Sequence, residues 1–163
     1  MNIILKNRFL YFLNYKLKCS IGKSGITNKK KEGDNKTPRG KFGFKYILYR
    51  KDRNINLRTR LKTIEIKKNM GWCDDIKSKY YNQLVKTPFK HSYEKLWLTE
   101  NIYDIILVLN YNMDPIIKNK GSAIFLHIAK SKYQATKGCI AISKRNIKLL
   151  LSKLSQKTRL NIL

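Results

Sequence analysis

A chain of 163 residues fits one domain and buries roughly two-thirds of its unfolded surface, so it needs no disulfide staples to fold. With 42% hydrophobic residues for a core and 28% charged residues spread throughout, the composition argues against a disordered chain. The 36 Lys and Arg against 10 Asp and Glu give a net charge of +26; this suits an anionic partner such as nucleic acid, anionic lipid or an acidic polymer, or, since the surplus sits on every segment and follows no stripe, compositional drift that predicts non-specific adhesion to polyanions with no specific nucleic-acid motif.

Met1 to Leu13 holds short apolar runs broken by Lys6, Asn7 and Arg8. It lacks a central apolar region and a small-residue cleavage site, so no signal peptide is read there. No stretch approaches the roughly 18 apolar residues of a membrane span. Residues 10–21 (LYFLNYKLKCSI) read as strand, and 22–40, with Gly, Asn, Asp and Pro, as loop. Strand resumes at 42–49 (FGFKYILY). Over 57–66, Leu57, Thr59, Leu61 and Thr63 alternate at period two, which predicts another strand. Residues 70–92 show no period and read as a long irregular excursion, of a length that is often functional. Residues 102–110 (IYDIILVLN) and 122–128 (SAIFLHI) are apolar on both faces, as central strands are. Asp114-Pro115 marks a turn between them, and 139–142 (CIAI) is a short strand. Ser143 can cap a helix carrying Ile147, Leu150, Leu151 and Leu154 at helical spacing. The terminal TRLNIL alternates and can close a sheet edge. The class is mainly β with one or two helices.

The candidate chemistry lies near the end of the chain. Cys19, Cys73 and Cys139 have no metal-ligand spacing and no disulfide framework, and their odd count leaves at least one free thiol. A nucleophilic thiol needs a base or a positive field beside it, and N–H donors aimed at the developing oxyanion. The Thr136 to Cys139 segment (TKGC) offers a tight turn, and Gly138 allows close approach to the backbone. Alone, a Gly-Cys pair also suits a turn into a buried structural cysteine. His127 ends an apolar strand and shares its face with Ala123 and Phe125, which suits a core histidine or a rigidly held base. The loop from Ile128 to Lys137 can fold back and set Cys139 on an adjacent strand beside it, and the pair together favours chemistry. His91 reads as surface, and Cys19 and Cys73 as packing residues.

Taken together, GSAIFLHIAKSKYQATKGCIAIS resembles the L,D-transpeptidase catalytic domain (YkuD-like) family: a His on a strand, a variable loop, then Ser or Thr, any residue, Gly, Cys. The matching positions are His127, Thr136, Gly138 and Cys139. Upstream, Thr37, Pro38, Gly40 and Phe42 match the family's T-P-x-G-x-[FY] element. GWCDD, followed by Tyr81-Asn82 and YDIILVLNYN, is similar to one branch of the family. The resemblance covers the chain from about Leu17 onward. One departure is Lys137, where the commoner motif has His or Arg.

The resemblance implies a β-sandwich of mixed sheets in one domain spanning 1–163. It implies a peptidoglycan L,D-transpeptidase in which Cys139 is the nucleophile, His127 its base, and backbone N–H groups near Gly138 hold the oxyanion. It also puts Thr136, Trp72, Asp74, Asp75, Tyr81 and Asn82 at the substrate. The acidic pair Asp74-Asp75, in a chain poor in acids, otherwise suits a surface turn. No metal or cofactor is expected. Stem peptides of peptidoglycan are the expected partner, the chain a monomer, and its place periplasmic or facing the wall, with the cytoplasm left open by the missing export signal. Other readings are a Cys-His carboxypeptidase or amidase on wall peptides, a basic polyanion-binding module, and a non-catalytic peptidoglycan binder.

Overall fold

The computed structural model describes residues 1–163 and contains fourteen strands and one α-helix. In chain order the strands are β1 (Asn2–Lys6), β2 (Phe9–Phe12), β3 (Tyr15–Lys18), β4 (Ile26–Thr27), β5 (Thr37–Pro38), β6 (Gly40–Tyr49) and β7 (Thr63–Glu65). There follow β8 (Met70–Cys73), β9 (Leu84–Lys86), β10 (Tyr93–Lys95), β11 (Ile105–Leu109), β12 (Phe125–Ile128) and β13 (Ile140–Ile142). Helix α1 (Lys144–Leu151) and strand β14 (Arg159–Ile162) end the chain. No helix is long and apolar enough to cross a membrane.

The main sheet runs in the order β13-β12-β11-β6-β14-β1-β2-β3, with β7 beside β6. Its two ends are tied: the chain leaving β3 bridges back to β13 through Ser20 N–H to Ala141 O (2.8 Å) and Ala141 N–H to Ser20 O (3.0 Å). An edge that would otherwise be open beside the candidate nucleophile is thereby paired. A smaller sheet, β10-β8-β9, lies apart.

Because side chains alternate across a strand, the main sheet has two apolar faces. On one, Leu126, Ile128, Ile140 and Ile142 join Ile3, Leu5, Leu107 and Leu160 and the α1 residues Ile147, Leu150 and Leu151 in the larger core. On the other, Leu48, Ile106, Val108, Phe125 and Cys139 pack against Trp72 from the excursion and Ile66 and Leu96 that flank it. All of β11 is buried, which accounts for its unbroken apolar run. The architecture is mainly β with mixed sheets and one short helix, a sandwich type as expected. Ser143 caps the helix as its sequence suggests, its hydroxyl accepting from Asn146 N–H at 3.2 Å.

Three segments differ from expectation, and a fourth, at the N-terminus, adds a strand where the sequence set no expectation. Strand β14 does not close an edge; it sits inside the sheet, parallel to β1 and antiparallel to β6. The N-terminal run, broken by charges, is itself a strand, with Ile3 and Leu5 inward and Asn2, Ile4 and Lys6 outward. Of 57–66 only Thr63–Glu65 is strand. There the hydroxyl of Thr59 takes the Leu61 N–H at 3.1 Å, a local bond that competes with the ladder. The excursion 70–92 is less irregular than its aperiodic sequence implies, since β8 and β9 lie within it.

Candidate active site

Strands β12 and β13 pair in parallel, with Leu126 beside Ile140 and His127 beside Ala141. By the same register Cys139, one residue before β13, falls level with Phe125 and on the same face as His127. The intervening loop thus does what the sequence anticipates: it carries the chain over and returns it beside the histidine. The two side chains line one cavity of about 600 Å³, a volume suited to a peptide segment.

The turn before Cys139 is fixed by hydroxyls. Thr136 Oγ1 donates to Cys139 O (2.5 Å) and accepts from Gly138 N–H (3.1 Å). Gly138 has φ of +136°, and a Cβ there would meet Lys36 O at 2.8 Å, so only glycine suits the position. Thr37, fully buried, donates through Oγ1 to Gly138 O (2.8 Å) and accepts from Gly22 N–H (2.8 Å). This explains physically why a Thr-Pro element near residue 37 accompanies a Gly-Cys element near 139: the first braces the turn of the second. Thr37→Val, nearly the same shape, leaves Gly22 N–H and Gly138 O unpaired. It is expected to cost about 1–3 kcal/mol for each group, read as a lower midpoint in urea unfolding.

His127 is 6% exposed and its Nδ1 lies 2.9 Å from the carbonyl of Ile128. A carbonyl only accepts, so Nδ1 carries the proton and Nε2 keeps its lone pair. The ring packs edge-on against Tyr103, with centroids 5.2 Å apart. Burial is the main reason its pKa falls to about 4; nearby Lys130 adds to this, and the bond to Ile128 opposes it. Unfolded, the ring titrates near 6.5. Between those values the unfolded chain holds the extra proton, so stability falls as pH drops from about 6.5 towards 4, by roughly 3 kcal/mol in all. Urea unfolding at pH 7 and pH 4.5 reads this loss, and His127→Gln is expected to flatten the profile across that window.

Cys139 is 9% exposed. Its sulfur accepts from Phe125 N–H at 3.4 Å and donates to Ala123 O at 3.3 Å, so at rest the thiol is held on backbone groups. Burial, then the negative charge of Glu94, push its pKa up to about 12, against the opposing influence of Phe125 N–H and Lys30. The resting pair is therefore a neutral thiol and a neutral imidazole.

Of the other sequence-derived site residues, Thr136 and Asp74 line the cavity. Trp72, Tyr81 and Asn82 are buried and do not line it. Trp72 packs edge-on against Phe125 and its Nε1–H donates to Asn82 Oδ1 (3.0 Å). Asn82 Nδ2 donates to the carbonyls of Tyr111 and Asn112 (3.2 and 2.7 Å). Tyr81 donates to Glu32 Oε2 at 2.6 Å, and Glu32 reaches the cavity wall. Asp75 accepts from Lys77 N–H (2.8 Å) and pairs with His91 (3.1 Å), which gives that surface histidine a partner the sequence did not suggest. Cys19 and Cys73 are buried packing residues, as read. Sequence reading missed the other charged groups of the wall: Glu94, Glu32, Lys30 and Lys130. Glu94 left one signal, an acid between aromatic residues in SYEKLW.

A model of the L,D-transpeptidase catalytic domain (YkuD) family matches residues 3–162. No curated protein matches the chain.

Proposed function

This chain belongs to the L,D-transpeptidase catalytic domain family, and from that premise we propose that it cross-links peptidoglycan stem peptides through a thioester on Cys139. The observation that supports this most is the convergence of Cys139 and His127, from adjacent parallel strands, on one cavity.

The stem's third residue presents its carbonyl to Cys139. The thiol turns from its backbone partners toward His127 Nε2, which takes the proton as sulfur bonds to carbon. Because Gly138 N–H already serves Thr136, the Cys139 N–H is the donor of that pair left for the oxyanion. Collapse of the intermediate breaks the amide, and the imidazolium returns its proton to the departing amine. An acceptor amine then attacks the thioester, gives up a proton to His127 and restores the thiol. Water in its place releases a shortened stem, so acceptor choice separates a transpeptidase from a carboxypeptidase at the same site.

The cavity wall suits such a peptide. Lys130 and Lys137 on that wall can take its carboxylates and Asp74 an amine, while Lys30 is already paired with Asp34, and Glu32 and Glu94 with tyrosine hydroxyls. That substrate lies outside the cytoplasmic membrane, so we place the protein in the periplasm or facing the wall. Intact-mass measurement after brief exposure to a stem tetrapeptide tests the reading. An adduct equal to the tetrapeptide less its terminal residue and water, mapped to Cys139, supports it; unmodified protein beside fully retained substrate refutes it.

A further inference from the structure

Tyr103, at the end of a 3₁₀ turn (Asn101–Tyr103), is 6% exposed and donates its phenol proton to Glu94 Oε1. A buried phenol needs such a partner. Glu94 comes from the small sheet, where β10 sets it opposite Trp72. The bond therefore joins the small sheet to the turn that leads into β11, at the wall of the cavity. The same Tyr103 ring meets His127 at 5.2 Å and Phe125 at 6.2 Å, both nearly perpendicular. Glu94, Tyr103, His127 and Cys139 all line that cavity. We propose that Glu94 and Tyr103 are a positioning pair for the Cys139–His127 couple: one hydrogen bond fixes the ring that holds the imidazole and the carboxylate charge that the thiol faces.

This inference rests on the transpeptidase reading. The charged groups around the pair are known. Glu94 faces Asp74, Glu32 and Lys137 besides Tyr103; Cys139 faces Lys30 and Glu94; His127 faces Lys130. Burial raises the Glu94 pKa above the usual carboxylate range, Asp74 and Glu32 add to this, and Tyr103 and Lys137 oppose it. Once Glu94 loses its proton, its negative charge disfavours the thiolate. While Glu94 keeps its proton, that penalty is absent.

The test is the rate at which 2,2′-dithiodipyridine modifies Cys139, resolved by peptide mass from pH 4 to pH 9, in wild type, Glu94→Gln and Glu94→Asp. Gln still accepts from Tyr103, so the pair's geometry is retained while its charge is lost. The ratio of Gln-variant to wild-type rates is expected to be near one at the acid end and to rise to about tenfold at the alkaline end, a shift of about one pH unit in the thiol. The Asp variant, which keeps the charge, is expected to track wild type. A ratio that does not change with pH is what loosened packing produces, and it overturns the inference. Cross-linking of stem tetrapeptides by wild type is scored separately. Product with a flat ratio sinks the positioning pair alone. A pH-dependent ratio without product leaves the pair standing and sinks the transpeptidase reading. A Cys139 that never reacts in any variant overturns both.

Discussion

Replacing Cys139 with Ala is expected to abolish cross-linking, with turnover falling by roughly 10⁴-fold or more. The size follows from the role. Without sulfur there is no thioester, and only binding and the remaining backbone donor can favour reaction. The fold is expected to survive, because the turn is held by Thr136 and Thr37 through backbone atoms of Gly138 and Cys139 rather than through the thiol. Release of the stem's terminal residue measures the loss, and an unchanged circular dichroism spectrum assigns it to chemistry.

His127→Gln is expected to lower turnover by about 10²–10⁴-fold near neutral pH, the usual contribution of a positioned base. Its signature is a changed pH profile. In the wild-type protein the base is neutral at every pH well above about 4, so the thiol proton always has an acceptor. In the variant, attack depends on thiolate formed without help. With the thiol near 12, that fraction grows about tenfold for each pH unit below its pKa. The variant's rate is therefore expected to climb steeply between pH 7 and pH 9 while wild type stays nearly flat. Steady-state rates across that range check it.

Much of this was legible in the sequence where one physical signal dominated. The apolar runs at 102–110 and 122–128 suited buried strands, and buried strands form within them at 105–109 and 125–128. The loop between His127 and Cys139 was short enough to return the chain to a neighbouring strand, and it does. Signals failed where contacts distant in sequence decide the outcome. The alternation at 159–162 revealed a strand but not its neighbours, and pairing with β1 and β6 places it inside the sheet. The regular pattern at 57–62 lost to a hydroxyl bond within the segment itself. At the site, Cys139, His127, Thr136 and Asp74 share the cavity. Trp72 and Asn82 instead bond to each other and do not line it, which spacing along the chain could not reveal. Glu94 and Tyr103 escaped notice because each gains meaning only when β10 and the turn at 101–103 meet at the wall of the cavity.

Cross-linking through Cys139 is tested by the masses of the products formed when purified protein meets isolated stem-tetrapeptide muropeptides, with the Cys139→Ala protein beside it. A cross-linked dimer lacking the donor's terminal residue is expected from the wild-type protein and is expected to be absent with the Ala variant. Intact tetrapeptide in both reactions, or the same dimer from the Ala variant, would contradict it.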